Sequence, residues 1–153
     1  MLADEIAVAH TPEGGYGEEM PSPILAGCTE PLPPGVPDLR GTWRAVSVTW
    51  KDGEDRPFEH VERIEQCGDR VVVTSGGVIH DMRADGTAAR GVNDVTPTGV
   101  PIQVVCTFED GVHTLRPVGM PDVEVTRRLD GDHLVWDYGR LLVARLERIG
   151  DVR

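Results

Sequence analysis

The chain has 153 residues, and its 15 Lys and Arg against 26 Asp and Glu give a formal net charge of −11 at pH 7. A single domain of this length can enclose a core or a ligand cavity. A surface this acidic repels phosphate backbones and anionic lipid, which argues against nucleic-acid and membrane-surface partners. No stretch approaches the roughly 20 apolar residues that a membrane-spanning helix needs.

The N-terminus and the cysteines predict a cytoplasmic protein. Asp4 and Glu5 make the N-terminus acidic where a secretion signal would be basic, and no apolar segment follows them. Cys28, Cys67 and Cys106 are widely spaced and form no Cys-x-x-Cys motif. An odd number of scattered cysteines fits free thiols in a reducing compartment better than a disulfide framework.

Residues 1–39 are predicted to form an arm outside the main domain. Residues 2–10 favour a short helix, and the Gly-rich stretch 11–17 ends it. Prolines hold residues 21–37 extended. Interspersed apolar residues predict that the arm lies on the domain, as a candidate lid over one opening, while a disordered leader is the alternative for its first half. These apolar residues are Met20, Ile24, Leu25, Leu32 and Val36.

From residue 40 the chain reads as short β-strands separated by tight turns. Asp-Gly turns between runs of alternating character are the strongest short-range hairpin signal. They occur at Asp52, Asp85, Asp110 and Asp130, and in reversed order at Gly68. The predicted strands are Thr42–Trp50, His60–Gln66, Arg70–Ser75, Val78–Arg83, Thr87–Val92, Ile102–Phe108, Val112–Arg116, Val123–Leu129, His133–Tyr138 and Leu141–Leu146.

A meander of this length most economically closes on itself, which removes its exposed edges. We therefore predict an all-β fold, a single up-and-down antiparallel barrel of about 8–10 strands over residues 40–148. Residues 149–153 would form a C-terminal tail. A two-sheet sandwich is the alternative.

The first strand opens with Gly41-Thr42-Trp43, which resembles the first signature of the lipocalin (calycin) barrels. In those barrels the tryptophan closes the floor, and an arginine just after the last strand packs across its ring. Arg145 and Arg148 stand where that arginine would be, and a guanidinium over an indole face is a favourable contact. The resemblance implies that Trp43 and one of these arginines close the barrel.

The candidate site predicted from the sequence is a cavity that binds and restrains its ligand through the shape of its walls. The sequence has no Gly-x-Ser-x-Gly motif, no Gly-rich loop that opens a helix and no metal-ligand spacing among its five histidines. We therefore predict no metal and no cofactor, and we assign no catalytic residue. The residues predicted to contact a substrate are Trp50, His80, Met82, Gln103, Thr107, Phe108, His113, Trp136 and Tyr138. Which strand faces line the cavity stays open.

Three stretches carry a second resemblance: residues 21–32 (PSPILAGCTEPL), 37–43 (PDLRGTW) and 75–95. They look like the lipocalin-like cyclases of actinomycete polyketide pathways, which close spirotetramate or spirotetronate rings by [4+2] cycloaddition. The resemblance implies a cofactor-free Diels–Alderase-type cyclase that folds a linear polyene inside a small barrel capped by an N-terminal segment. Such a step needs restraint of the reactive conformer and no proton transfer.

The rival interpretation is a non-catalytic intracellular carrier or sensor of a hydrophobic small molecule, such as haem. The same cavity would serve either role, and both interpretations predict a hydrophobic small molecule as the partner. The sequence allows a monomer or a homodimer.

Overall fold

The computed structural model describes residues 1–151, which form ten strands and one short 3₁₀ helix at Ala3–Glu5. From β1 to β4 and from β5 to β10, each strand pairs antiparallel with the next along the chain, and β1 also pairs with β10. This confirms the predicted all-β up-and-down barrel. The strands are β1 (Gly41–Trp50), β2 (Val61–Cys67), β3 (Arg70–Ser75), β4 (Val78–Arg83), β5 (Val92–Val95), β6 (Pro101–Glu109), β7 (Val112–Pro117), β8 (Val125–Asp130), β9 (His133–Tyr138) and β10 (Leu142–Gly150).

The barrel is closed at β1 and β10 and interrupted between β4 and β5. The β1–β10 ladder runs from Trp50, opposite Leu142, to Thr42, opposite Gly150. Among the described strands, β4 and β5 stand at the two ends of the hydrogen-bonded order and share no ladder. His80 Nε2 bridges this gap from the inside, 2.9 Å from the carbonyl oxygen of Val95.

Strands β2 to β4 are buried on both faces. Ile64, Val73 and Met82 point into the barrel core, whereas Val72 and Ile79 belong to a second apolar cluster on the outer wall. Because neighbouring residues of a strand point to opposite faces, both sets contribute to the nearly continuous burial of these strands. The arm supplies the apolar partners of the outer cluster.

The first half of the arm runs along the outside of β4. The guanidinium of Arg70 donates to the carbonyl oxygens of Ala3, Ile6 and Ala7, and the amide of Tyr16 donates to Gly77 at the far end of β4. The predicted helix over residues 2–10 is therefore reduced to a single 3₁₀ turn. The side chain of Arg70 takes up the carbonyl groups that a helix would use.

The second half of the arm returns along β2. Arg63 donates to the carbonyl of Pro21, and the Glu65 carboxylate accepts hydrogen bonds from the amides of Ile24 and Leu25. The arm therefore lies on the outer wall as a strap over β2–β4. The segment that reaches over one end of the interior is the loop of residues 51–60.

Cys28 of the arm and Cys67 of β2 form a disulfide with a Cα–Cα distance of 6.1 Å. Cys106 is free and buried. This corrects the prediction of three free thiols: the returning arm brings together two cysteines 39 residues apart, which their spacing alone does not reveal. The cysteine argument for a cytoplasmic protein therefore no longer holds, since disulfides are typical of oxidising compartments.

The predicted strand Thr87–Val92 is replaced by a compact loop and a shorter β5. The carboxylate of Asp85 accepts from the amide and hydroxyl of Thr87, and Asn93 donates to carbonyl groups within the loop. Gly91 lies so close to the Val104 carbonyl that a β-carbon there would clash. These local hydrogen bonds compete with a strand ladder.

At the C-terminal end, β10 runs to Gly150, so residues 149–150 belong to the barrel and not to a tail. Residues 152–153 of the predicted tail lie outside the described residues. Among residues 1–151, no helix is long and apolar enough to cross a membrane.

Trp43 lies fully buried at one end of the barrel. Its Nε1–H donates to the carbonyl of Leu39 at 2.9 Å, and the Arg148 guanidinium lies 4.5 Å from the centre of its ring. Arg145 lies on the outside of β10, where it pairs with Asp130. The last residues of the arm therefore contact the end of the barrel that Trp43 closes.

Candidate functional site

One row of inward side chains crosses the wall from β6 to β9. The strand register places Phe108 opposite His113, His113 opposite Arg127, and Arg127 opposite Trp136. Neighbouring strands lie about 4.8 Å apart, so His113, Arg127 and Trp136 are consecutive along this row. We call these three residues the inner row.

An ion pair spans the interior from the inner row to the opposite wall. Arg127 donates through Nε and Nη2 to the two carboxylate oxygens of Glu62 on β2, at 2.8 and 3.1 Å. His60 Nε2 lies 2.7 Å from the same carboxylate. Burial raises the pKa of Glu62, but Arg127 and the hydrogen bond to His60 outweigh it and lower that pKa to about 2. Glu62 is therefore ionised at neutral pH.

His113 is a buried, neutral imidazole. Burial and the neighbouring Arg127 lower the pKa of His113 to about 3, and burial raises the pKa of the Cys106 thiol to about 12. The imidazole is therefore neutral and the thiol keeps its proton. The Cys106 Sγ lies 3.3 Å from Nε2 of His113, so this nitrogen is engaged with the thiol, and the tautomer decides which of the two groups donates.

Two buried atoms of the inner row lack a hydrogen-bond partner. Nδ1 of His113 and Nε1 of Trp136 are sealed from solvent, and within the described part of the chain no acceptor reaches either. Nη1 of Arg127 also makes no hydrogen bond to the residues that the structure describes. The inner row therefore presents N–H donors whose capacity the protein does not use.

Aromatic rings surround the Trp136 end of the row. His60 stacks on Trp136 with ring centres 4.3 Å apart, and Phe58 lies 6.1 Å from the same indole. Phe58 also contacts Trp50 edge-to-face at 5.6 Å. Trp50 is anchored by its Nε1–H, which donates to Arg56 in the loop of residues 51–60. This loop therefore inserts Phe58 over one end of the interior.

Most of the residues predicted to contact a substrate lie on the inner face of the barrel. Gln103 and Thr107 do not: Gln103 donates to Asn93 and Thr107 to Glu109 on the outside. They alternate with Val104 and Cys106, which point inward, so the polar face of β6 is its solvent face. The inward members of the predicted set are Trp50, His80, Met82, Phe108, His113, Trp136 and Tyr138.

The predicted set lacks Glu62, Arg127, His60 and Phe58. The sequence does contain a signal for the ion pair. Glu62 lies two residues before the buried Ile64, so it shares its inward face, and Arg127 shares the face of Val125 by the same alternation. A lone charged residue on the apolar face of a strand needs a partner of opposite charge, and these two charges complement each other. Phe58 lies in a loop and leaves no such periodic signal.

A cavity of about 540 Å³ lies outside the barrel between the arm and the β4–β5 gap. Its charged groups already have partners within the fold. The ion pairs are Arg70 with Asp81, Arg83 with Asp4 and Arg90 with Asp85, and Asp94 accepts from the amide of Thr11. The interior, with its unused donors, is therefore the stronger candidate site.

No protein-family model matches this sequence, and no curated protein matches it. Among solved structures, it is similar to zebrafish ileal bile acid-binding protein complexed with cholic acid, at a TM-score of 0.57 and 20% identity over 72% of this chain and 98% of the zebrafish chain. It is also similar to human cRBP IV, at a TM-score of 0.53 and 18% identity over 73% of this chain and 98% of the human chain. Identities this low show the fold alone: the chain is a lipocalin-like β-barrel.

Proposed function

We propose that this protein binds a largely apolar small molecule inside the barrel. The observation that carries the proposal is the sealed N–H donor of the inner row that has no acceptor among residues 1–151, Nε1 of Trp136, together with Nδ1 of His113, a second sealed polar atom without a partner there. Ligand sites are typically apolar and aromatic, with a few polar groups that fix orientation. The bile acid bound by the structurally similar zebrafish protein supports the same kind of use here.

The energetic argument concerns what a donor loses when it is buried. A buried N–H group without an acceptor costs about 1–3 kcal/mol, and native proteins leave few such groups. Nε1 of Trp136 is such a group, and it lies beside Arg127, whose guanidinium is itself only partly used. A ligand that supplies an acceptor removes part of this cost on binding, so the arrangement favours an occupied interior.

The test is a titration with the hydrocarbon probe 1,6-diphenylhexatriene, whose fluorescence rises in an apolar site. Val125→Trp adds bulk at a half-buried inward position beside Tyr138 and should weaken binding at least roughly tenfold. Val46→Trp, at an exposed position of β1, is the matched control and should bind like the parent. Circular dichroism checks that both fold. No saturable binding to the parent, or equal binding by both variants, would contradict the proposal.

As a second candidate function, we propose that the same interior accelerates a [4+2] cycloaddition of a bound linear polyene. The aromatic wall of Trp50, Phe58 and Trp136 favours this function, because flat rings can hold a diene and an alkene in the reactive conformer. Loss of the polyene absorbance with saturating kinetics would support the cyclase. Tight binding of the polyene without a faster cyclisation would leave the carrier function.

A further inference from the structure

We infer that the ligand of the barrel interior is uncharged and presents an acceptor oxygen, as in an ester, ketone or alcohol, to the inner row of His113, Arg127 and Trp136. This inference rests on the proposed function and specifies the chemical class of ligand for that site.

The first step is an inventory of donors and acceptors. On the inner row, Nη1 of Arg127 and Nε1 of Trp136 carry N–H groups without an acceptor. The nearest acceptors are already engaged. Both oxygens of Glu62 take N–H groups of Arg127, and Nε2 of His113 is engaged with the thiol of Cys106. A complementary ligand therefore accepts hydrogen bonds at this row.

The second step concerns charge. Arg127 and Glu62 form a bidentate pair with side chains 6% and 0% exposed, so their formal charges cancel inside the barrel. A ligand carboxylate beside this pair would lose its hydration, and the inner row offers no unpaired cation to compensate its charge. Such burial is costly. A carbonyl or hydroxyl oxygen accepts the same hydrogen bonds without that cost.

The third step excludes a ligand that mainly donates. An ammonium or guanidinium ligand would meet the unused N–H groups of the inner row and the guanidinium of Arg127 at close range. Of the nearby carboxylates, Glu62 is occupied by Arg127 and His60. The aromatic rings of Trp136 and Phe58 offer apolar contacts, so we expect the rest of the ligand to be hydrocarbon.

The experiment compares three fluorescent polyenes at about pH 8, where free carboxylic acids are ionised. They are methyl cis-parinarate, cis-parinaric acid and the oxygen-free 1,6-diphenylhexatriene. The ester should bind roughly tenfold more tightly than the acid. Binding of none of the three overturns the proposed function. Binding of the acid as tightly as the ester overturns only the present inference.

Trp136→Phe tests the donor while it keeps an aromatic ring. It should weaken ester binding several-fold, and the affinity for diphenylhexatriene serves as its internal control because that probe has no acceptor. An equal loss for both probes, or no loss for the ester, would count against a hydrogen bond from the indole.

Glu62→Gln tests the charge balance, because it leaves Arg127 uncompensated. This variant should reverse the preference, so that the acid binds more tightly than the ester. Glu65→Gln is the matched control: Glu65 is a buried carboxylate on the outer face of β2, and its loss should keep the preference for the ester. An unchanged preference in a folded Glu62→Gln variant overturns the charge argument. If that variant does not fold, the comparison of ester and acid binding by the parent and the Trp136→Phe variant still test the inference.

Discussion

Within residues 1–151, two buried arginine–carboxylate pairs are bidentate, one on each side of the barrel wall. On the outer wall, Arg70 binds Asp81 through Nε and Nη2, at 2.8 and 2.6 Å. Inside, Arg127 binds Glu62 in the same bidentate manner, at 2.8 and 3.1 Å. Both arginines are almost completely buried. What differs is how the remaining hydrogen-bonding groups around each pair are used.

Around the outer pair the network is complete. The remaining guanidinium groups of Arg70 donate to arm carbonyls, and Asp81 also accepts from the amide of Ala9. The hydroxyl of Thr74 and Nε of Arg63 are exceptions on this wall, but they lie outside the network of Arg70 and Asp81. Around the inner pair, N–H donors of Arg127 and Trp136 stay unused, and Nδ1 of His113 has no hydrogen-bond partner within residues 1–151. A network in which every hydrogen-bonding group has a partner indicates a structural role, whereas one with unpartnered groups indicates a binding site for a ligand.

The largest expected effect is on the outer pair. Arg70→Met leaves Asp81 buried without its cation and frees the arm carbonyls, so the free energy of unfolding should fall by about 3–5 kcal/mol. Urea denaturation measures this. Arg40→Met, which breaks an exposed pair with Asp38, is the control and should cost about 1 kcal/mol or less. A loss for Arg70→Met as small as that of the control would show that the arm is not held by this network.

The second prediction concerns the inner side of the wall and the pH dependence of stability that His113 causes. Burial and Arg127 lower the pKa of His113 from 6.5 to about 3 in the folded protein. The unfolded chain therefore binds more protons between these values, and stability falls as the pH falls through this window. Between about pH 8 and about pH 5, His113 should account for a loss of about 2 kcal/mol.

His113→Gln removes this titration, so its stability should fall less than that of the parent over the same range. Urea midpoints of both proteins at the two pH values measure the difference, and the values at about pH 8 serve as the reference for each protein. Equal losses in parent and variant would mean that His113 is not buried as the neutral imidazole.

The sequence predicts the barrel well because its signals are local. The Asp-Gly turns and the alternating runs predict nine of the ten strands to within a few residues. The exception is β5, where Asp85, Thr87 and Asn93 form side-chain hydrogen bonds to the backbone. These hydrogen bonds stabilise a loop at a place where the residue types alone favour a strand.

The interior is harder to predict because its contacts join distant parts of the chain. Glu62 and Arg127 are 65 residues apart and meet across the barrel, and Cys28 meets Cys67 only because the arm folds back along β2. Alternation does divide a strand into two faces. It does not say which face lines a cavity and which faces solvent, so Gln103 enters the predicted contacts through its residue type and strand position alone.

The smallest expected effect compares the two sides of one strand, β10. Arg148 lies over the buried ring of Trp43, whereas Arg145 pairs with Asp130 on the exposed outer face. Arg148→Ala should lower the free energy of unfolding by about 1 kcal/mol, since it removes a cation–π contact at the barrel floor. Arg145→Ala, the matched control, should change it by about 0.5 kcal/mol or less, because an exposed ion pair in water contributes little. Urea denaturation with Trp fluorescence as the signal measures both, and the emission of Trp43 should shift only in Arg148→Ala. Equal destabilisation by the two substitutions would show that the arginine over the indole contributes no more to the barrel than a surface ion pair does.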